Sequence, residues 1–107
     1  MIDEITLANM ADMLSIASDQ TRLKILLCLL GENFTEEEPP KEPIKRNVNE
    51  IVASVGASQS LVSHQLKILK DADLVQARRD GRQVFYSLSD IHVQKLIEVV
   101  LEHVLEK

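Results

Sequence analysis

Tryptophan is absent from this 107-residue chain, and only two Phe and one Tyr occur. A core so poor in aromatic bulk has to be aliphatic, which suits packed helices. Only one cysteine, Cys28, is present, so an intrachain disulfide framework is excluded and a reducing compartment fits. No stretch approaches the roughly eighteen apolar residues of a membrane span. The opening Met1-Ile2-Asp3-Glu4 is acidic where a signal peptide would be basic. These absences lead to the expectation of a cytoplasmic protein with no membrane partner.

What is present is ordinary for one soluble domain: 45% hydrophobic and 27% charged residues. At this length one core is available, and dimerisation would help to stabilise it. The net charge of −5 is unevenly spread. Residues 58–86 carry Lys67, Lys70, Arg78, Arg79 and Arg82 against Asp71, Asp73 and Asp80, a local +2 in an otherwise acidic chain. That block is the one able to face a polyanion, and its small charge predicts strong salt sensitivity.

Apolar residues recur with helical spacing over residues 3–17, and again from Arg22 to Leu30 behind a Ser18-Asp19 cap, ending at Gly31. Cys28 lies in this second helix and reads as a small buried hydrophobe. Glu32 to Arg46 holds five Glu and three Pro without periodicity, the composition of a solvated acidic loop. Val48, Ile51, Val52 and Val55 then form a short helix ended by Gly56, and Ser58 caps a longer helix to about Ala72. Short helix, tight turn and longer helix are the grammar of a helix-turn-helix.

Val62, Leu66 and Leu69 give the longer helix a core face, while Ser60, Ser63, His64 and Lys67 line the other side. Ser58 to Lys67 is therefore the candidate recognition segment. Its small hydroxyl residues allow close approach to DNA, and a glutamine such as Gln59 can pair with adenine. From Leu74 the pattern alternates with strand period to a charged tip, Arg78-Arg79-Asp80-Gly81-Arg82, and returns through Val84, Tyr86 and Leu88. This hairpin is a wing, with Arg79 and Arg82 placed to meet phosphates. The expected fold is mainly α with a small β-hairpin, a dimeric winged helix-turn-helix.

The last helix starts near Ser89-Asp90 and extends to residue 106. Its apolar arc, Ile91, Val93, Leu96, Ile97, Val99, Val100, Leu101, Val104 and Leu105, is wider than one core stripe requires. A helix buried against a second subunit would show that surplus. It also carries Asp90, His92, His103 and Glu106. His92 and His103 point the same way to within about 20° but are separated by roughly 16 Å along the axis. Ligands of one zinc ion each lie about 2 Å from it, so one chain cannot use both histidines. Two copies of the helix running antiparallel can. Asp90 and His92 of one chain then meet His103 and Glu106 of the other, in two symmetric sites of two nitrogens and two oxygens.

Ser58-Gln59-Ser60-x-Val62-Ser63-His64-Gln65-Leu66-Lys67-x-Leu69, Asp80-Gly81-Arg82-x-x-x-Tyr86-Ser87-Leu88 and Asp90-x-His92…His103-x-x-Glu106 together resemble the ArsR/SmtB family of metal-responsive winged-helix repressors. The resemblance covers nearly the whole chain apart from the acidic loop. The third motif is similar to the subset that senses zinc through its C-terminal helix. It implies a homodimer that binds an inverted-repeat operator when metal-free and is released by zinc. Asp90, His92, His103 and Glu106 are the implied ligands, and Ser60, Ser63 and His64 the implied operator-side residues. A link from the non-ligating nitrogen of His103 to the backbone near Asp73 is also implied.

Two departures stand out. Relatives sensing arsenic, cadmium or lead place cysteines where this chain reads Asn47-Val48-Asn49-Glu50-Ile51, and the 32–46 loop is longer than the family's usual turn. Two imidazoles and two carboxylates suit tetrahedral zinc. Cobalt and nickel fit less well, since sensors of those metals use further histidines and Lys107 is reached without one. Two rival readings stay open: a winged-helix module that binds protein partners, and a DNA binder without metal sensing. An enzyme is not expected, because four protein ligands close the zinc shell and leave no position for a small-molecule substrate.

Overall fold

The computed structural model of the chain describes residues 1–31 and 44–106. Five helices and three short strands follow in the order α1 (Glu4–Ala17), α2 (Gln20–Leu30), β1 (Arg46–Asn47), α3 (Val48–Val55), α4 (Gln59–Asp71), β2 (Val75–Asp80), β3 (Gln83–Leu88) and α5 (Ile91–Leu105). The winged helix-turn-helix expected from the sequence is the fold observed. Most of the acidic loop, including the Glu36-Glu37-Glu38 run, lies outside the described residues.

Each helix begins where a short polar side chain can take a free backbone N–H. Asp3, Asp19, Asn47, Ser58 and Asp90 accept from the amides of Thr6, Arg22, Glu50, Leu61 and Val93. At Asn47 the arrangement is reciprocal, because the Glu50 carboxylate accepts from the Asn47 amide at 3.0 Å. The Thr6 backbone N–H on its carboxylate holds Asp3 below the usual 3.8. A depressed carboxyl stabilises the fold above its unfolded pKa and loses that effect as pH falls through the lower folded value. The α1 cap is therefore intact at neutral pH.

The core is aliphatic. Ile25 and Leu26 from α2, Ile51 from α3, and Val62, Leu66 and Leu69 from α4 are all fully buried. Val93 and Ile97 bring one side of α5 onto the same cluster, and Cys28 is buried in it as expected. The helix α1 contributes only Ala17 as a buried residue. Gly31 ends α2 at φ 94°, and a Cβ there would run into the Ile44 side chain. Only glycine satisfies both conditions.

The sheet has strand order β1-β3-β2, all antiparallel. Arg46, expected at the end of the loop, instead pairs with Tyr86 as part of β1. Its guanidinium Nε donates to the Cys28 carbonyl at 3.1 Å, tying this edge strand to α2. The wing is tighter than the alternation suggested. Arg78, Arg79 and Asp80 belong to β2, and Asp80 pairs directly with Gln83 across the Gly81-Arg82 turn. Gly81 has φ 63° and Arg82 does not have a positive φ, the pattern of a type II′ hairpin turn.

Between α4 and the wing the chain closes a Schellman motif. Leu74 N donates to Leu69 O at 2.9 Å and Asp73 N to Lys70 O at 3.0 Å. The left-handed residue is Asp73, at φ 59°, where glycine is the common choice. Replacing Asp73 with Gly is expected to raise the unfolding free energy by about 0.5–1 kcal/mol, read as a higher urea midpoint at unchanged slope. Leu66→Ala, which empties the centre of the core, is expected to lower it by about 2–5 kcal/mol in the same titration.

Candidate nucleic-acid and metal interfaces

The side of α4 opposite its buried residues is polar and open. Ser58, Gln59, Ser60, Ser63, His64 and Lys67 are all exposed, while Val62, Leu66 and Leu69 are buried. Ser58 is committed as the cap of α4, accepting from Leu61 N at 3.2 Å, and its hydroxyl lies 3.4 Å from that of Ser60. Gln65 belongs to a different side. It is half-buried, and its carbonyl oxygen accepts from Arg22 NH1 at 2.8 Å. The turn between α3 and α4 passes through Gly56 in the left-handed region, and the first residues of α4, Gln59, Ser60 and Leu61, are exposed.

At the wing, Arg79 and Arg82 are exposed, and so is Arg78. Strand alternation puts Arg79 on the side of Val75 and Ala77 and Arg78 on the other. Arg78 was not singled out from the sequence; its signal was its place in the basic tip. The exposed serines, glutamine, histidine and lysine of α4 and the arginines of the hairpin are groups that donate to phosphates and base edges.

The four metal-ligand candidates divide into two pairs on α5. At one end, the Asp90 carboxylate Oδ1 lies 3.8 Å from His92 Nδ1, with the two side chains 55% and 89% exposed. The same Oδ1 accepts the Val93 N–H at 3.0 Å, so Asp90 is also the cap of α5. At the other end, His103 sits in the last turn and Glu106 just past it, both exposed. Among the described residues no three His, Cys, Asp or Glu side chains gather as a metal-holding group. The donors are the imidazoles and carboxylates that zinc accepts, and each end of the helix offers two of the four that a tetrahedral shell needs. They fit a metal as halves of a site.

Aliphatic side chains lie open on the same helix. Val99, Val100 and Val104 are at least half exposed, as are Ile5, Leu7 and Leu14 of α1. Between α1, α2 and α5 runs an almost wholly apolar groove of about 420 Å³, lined by Leu14, Leu23, Leu27, Leu96, Val100 and Val104 among others. Exposed apolar surface this continuous marks an interaction face. No helix among the described residues is long and apolar enough to cross a membrane.

The helical core, the helix-turn-helix and the hairpin that follows it define a winged helix-turn-helix domain. Residues 43–77 match the family described as bacterial regulatory protein, arsR family. The transcriptional repressor SmtB homolog of Synechocystis sp. is 36% identical over 98 residues, covering 92% of this chain and 65% of that protein. The cadmium resistance transcriptional regulatory protein CadC homolog of Staphylococcus aureus is 31% identical over 97 residues, covering 89% of this chain and 69% of that one. Among solved structures, the homodimeric winged helix-turn-helix DNA-binding domain from Mycobacterium bovis superposes with a TM-score of 0.76 at 26% identity, covering 94% of this chain and 82% of that one. The chain belongs to the arsR family of bacterial regulatory proteins.

Asp90 has a capping role independent of any metal. Asp90→Ala, measured in the presence of a chelator, is expected to cost about 1 kcal/mol of stability, and Asp90→Asn much less because it can still cap. Equal losses in the two variants would show that the carboxylate's charge matters more than its hydrogen bond.

Proposed function

We propose that this chain is a homodimeric metal-sensing transcriptional repressor of the cytoplasm. The metal-free dimer occupies an inverted-repeat operator, and zinc at two inter-subunit sites releases it. The observation that carries this reading is the division of α5: an exposed ligand pair at each end and exposed valines between them. Fifteen helical residues separate the two ends, roughly 22 Å at 1.5 Å per residue. One helix therefore cannot close a site, whereas an antiparallel pair brings unlike halves together twice. Asp90 and His92 meet the partner's His103 and Glu106. Val99 and Val100 face their equivalents, and α1 lays its open aliphatic side over the groove.

Residues 1–107 act in this scheme as one winged helix-turn-helix unit, with 89–106 the dimerisation and metal-binding helix. Ser58, Gln59, Ser60, Ser63, His64 and Lys67 face the major groove, and Arg79 and Arg82 the phosphates beside it. A basic face on an otherwise acidic body makes the interaction depend on counterion release and hence steeply on salt.

Zinc, when bound, would cross-link the two terminal helices, held by Asp90 and His92 of one chain and by the partner's His103 and Glu106. A cleft of about 470 Å³ is lined by Ser89 and Asp90 on one side and by Lys70 and Asp73 at the end of α4 on the other, so the ligand end of α5 and the end of the recognition helix share one cleft. The family resemblance adds a second route, from His103 to the backbone near Asp73. Affinity for DNA falls by the coupling free energy, and DNA weakens zinc by the same factor. Cadmium belongs to the staphylococcal relative's name. In this chain Asn47–Ile51 holds no thiol and Cys28 is buried, which favours zinc.

Fluorescence anisotropy on a duplex selected by the metal-free protein is expected to show release on adding zinc, and an unchanged affinity would refute sensing. Zinc titration should saturate at two ions per dimer. His103→Ala should bind the duplex as wild type does and lose the zinc response; loss of both would assign His103 a structural role instead.

A further inference from the structure

The helix α1, with its open aliphatic side, is only lightly attached to its own chain. Of its residues Ala17 alone is buried, with Ile16 packed at the edge of the core. One polar side chain holds its end in place. Arg22, in the first turn of α2, donates from Nε to the Ile16 carbonyl at 2.7 Å. From NH1 it donates to the Gln65 side chain, on α4, at 2.8 Å. Its backbone N–H is meanwhile held by Asp19 at 3.0 Å, which fixes where the side chain starts. All three bonds are part-buried. Among the described residues no carboxylate pairs with this guanidinium, so the two neutral acceptors are its anchoring partners.

We infer that Arg22 is a positioning residue that ties α1 to the recognition helix through Gln65, and so sets the distance and tilt between the two recognition helices of the dimer. The inference rests on the proposed function, in which α1 belongs to the dimer interface and α4 faces DNA. A planar guanidinium with donors on two edges can hold a backbone carbonyl of one helix and a side-chain carbonyl of another in a fixed relation. Gln65 lies on the flank of α4, between the buried Leu66 and the exposed His64, where a pull changes the helix's rotation without touching its DNA side. An inverted repeat is read by two helices at once, so a small change in rotation is felt as a change in preferred half-site spacing.

The test uses the full-length dimer, a duplex selected by wild type from a randomised pool, and the same duplex with one base pair added between half-sites. Arg22→Met keeps the aliphatic stem and removes both donors. It is expected to stay dimeric by sedimentation, to bind the selected duplex about tenfold more weakly, and to lose most of its preference over the lengthened one. Gln65→Met breaks only the α4 bond and should show the same loss of preference; it carries the test if Arg22→Met fails to fold. Gln65→Glu, which turns the same contact into a charge-assisted bond, should keep the wild-type preference. Retained spacing preference in Gln65→Met overturns the inference. Should wild type select no duplex at all, the DNA reading fails on its own. The tie is then judged by amide exchange along α4, which should quicken about tenfold in Gln65→Met; unchanged protection overturns it.

Discussion

Val62, Leu66 and Leu69 share one aliphatic core with Ile25, Leu26 and Leu29 of α2 and Ile51 of α3, and the rotation of α4 about its own axis follows from that contact. Each helical residue advances by 100°, so a slip of one position would bury Ser63 and expose Val62. Both errors are costly, the first for an unpartnered hydroxyl and the second for lost apolar burial. The polar side of α4 therefore points where it does because its apolar side has one place to go. The wing inherits the constraint, since the Schellman turn at Asp73 binds β2 to the end of α4 and Leu74 continues the same core.

The two terminal helices obey a different logic. In α4 nearly every large apolar residue is covered, whereas in α1 and α5 a second apolar side remains open beside the one that packs. One chain satisfies half of each helix. Its ligand candidates are likewise present as halves, a carboxylate and an imidazole near 4 Å apart at one end and a matching pair at the other. In the proposed dimer a second copy would meet both demands through one operation, because a two-fold axis across α5 exchanges its ends.

Most of this was legible from residue types. Asp19, Ser58 and Asp90 announce helix starts, Gly31 and Gly56 announce ends, and the 3.6 and 2 periodicities separate α4 from the wing. The Asn47-x-x-Glu50 capping box is equally readable from the residues. Other features had no local signal. A two-residue strand such as Arg46–Asn47 has no period to detect, and its pairing depends on β3, some forty residues away. Asp73 adopts a left-handed conformation that its side chain does not advertise. Gln65 sits within the recognition segment, yet its partner is Arg22, a contact visible only once α2 and α4 are packed. The division of the four metal candidates was legible for the opposite reason: helix geometry alone fixes their separation.

The close approach of Gly31 to the Ile44 side chain means that the chain leaves the body and rejoins it at one point. Whatever connects those two residues begins and ends in the same place, so its length is decoupled from the geometry of α2 and α3. The entropy of closing such a loop grows only slowly with its length. A long connection between these two points therefore costs little more to close than a short one. The junction is a position where this architecture tolerates novelty: new sequence can be acquired, altered or lost while the helices on either side keep their register.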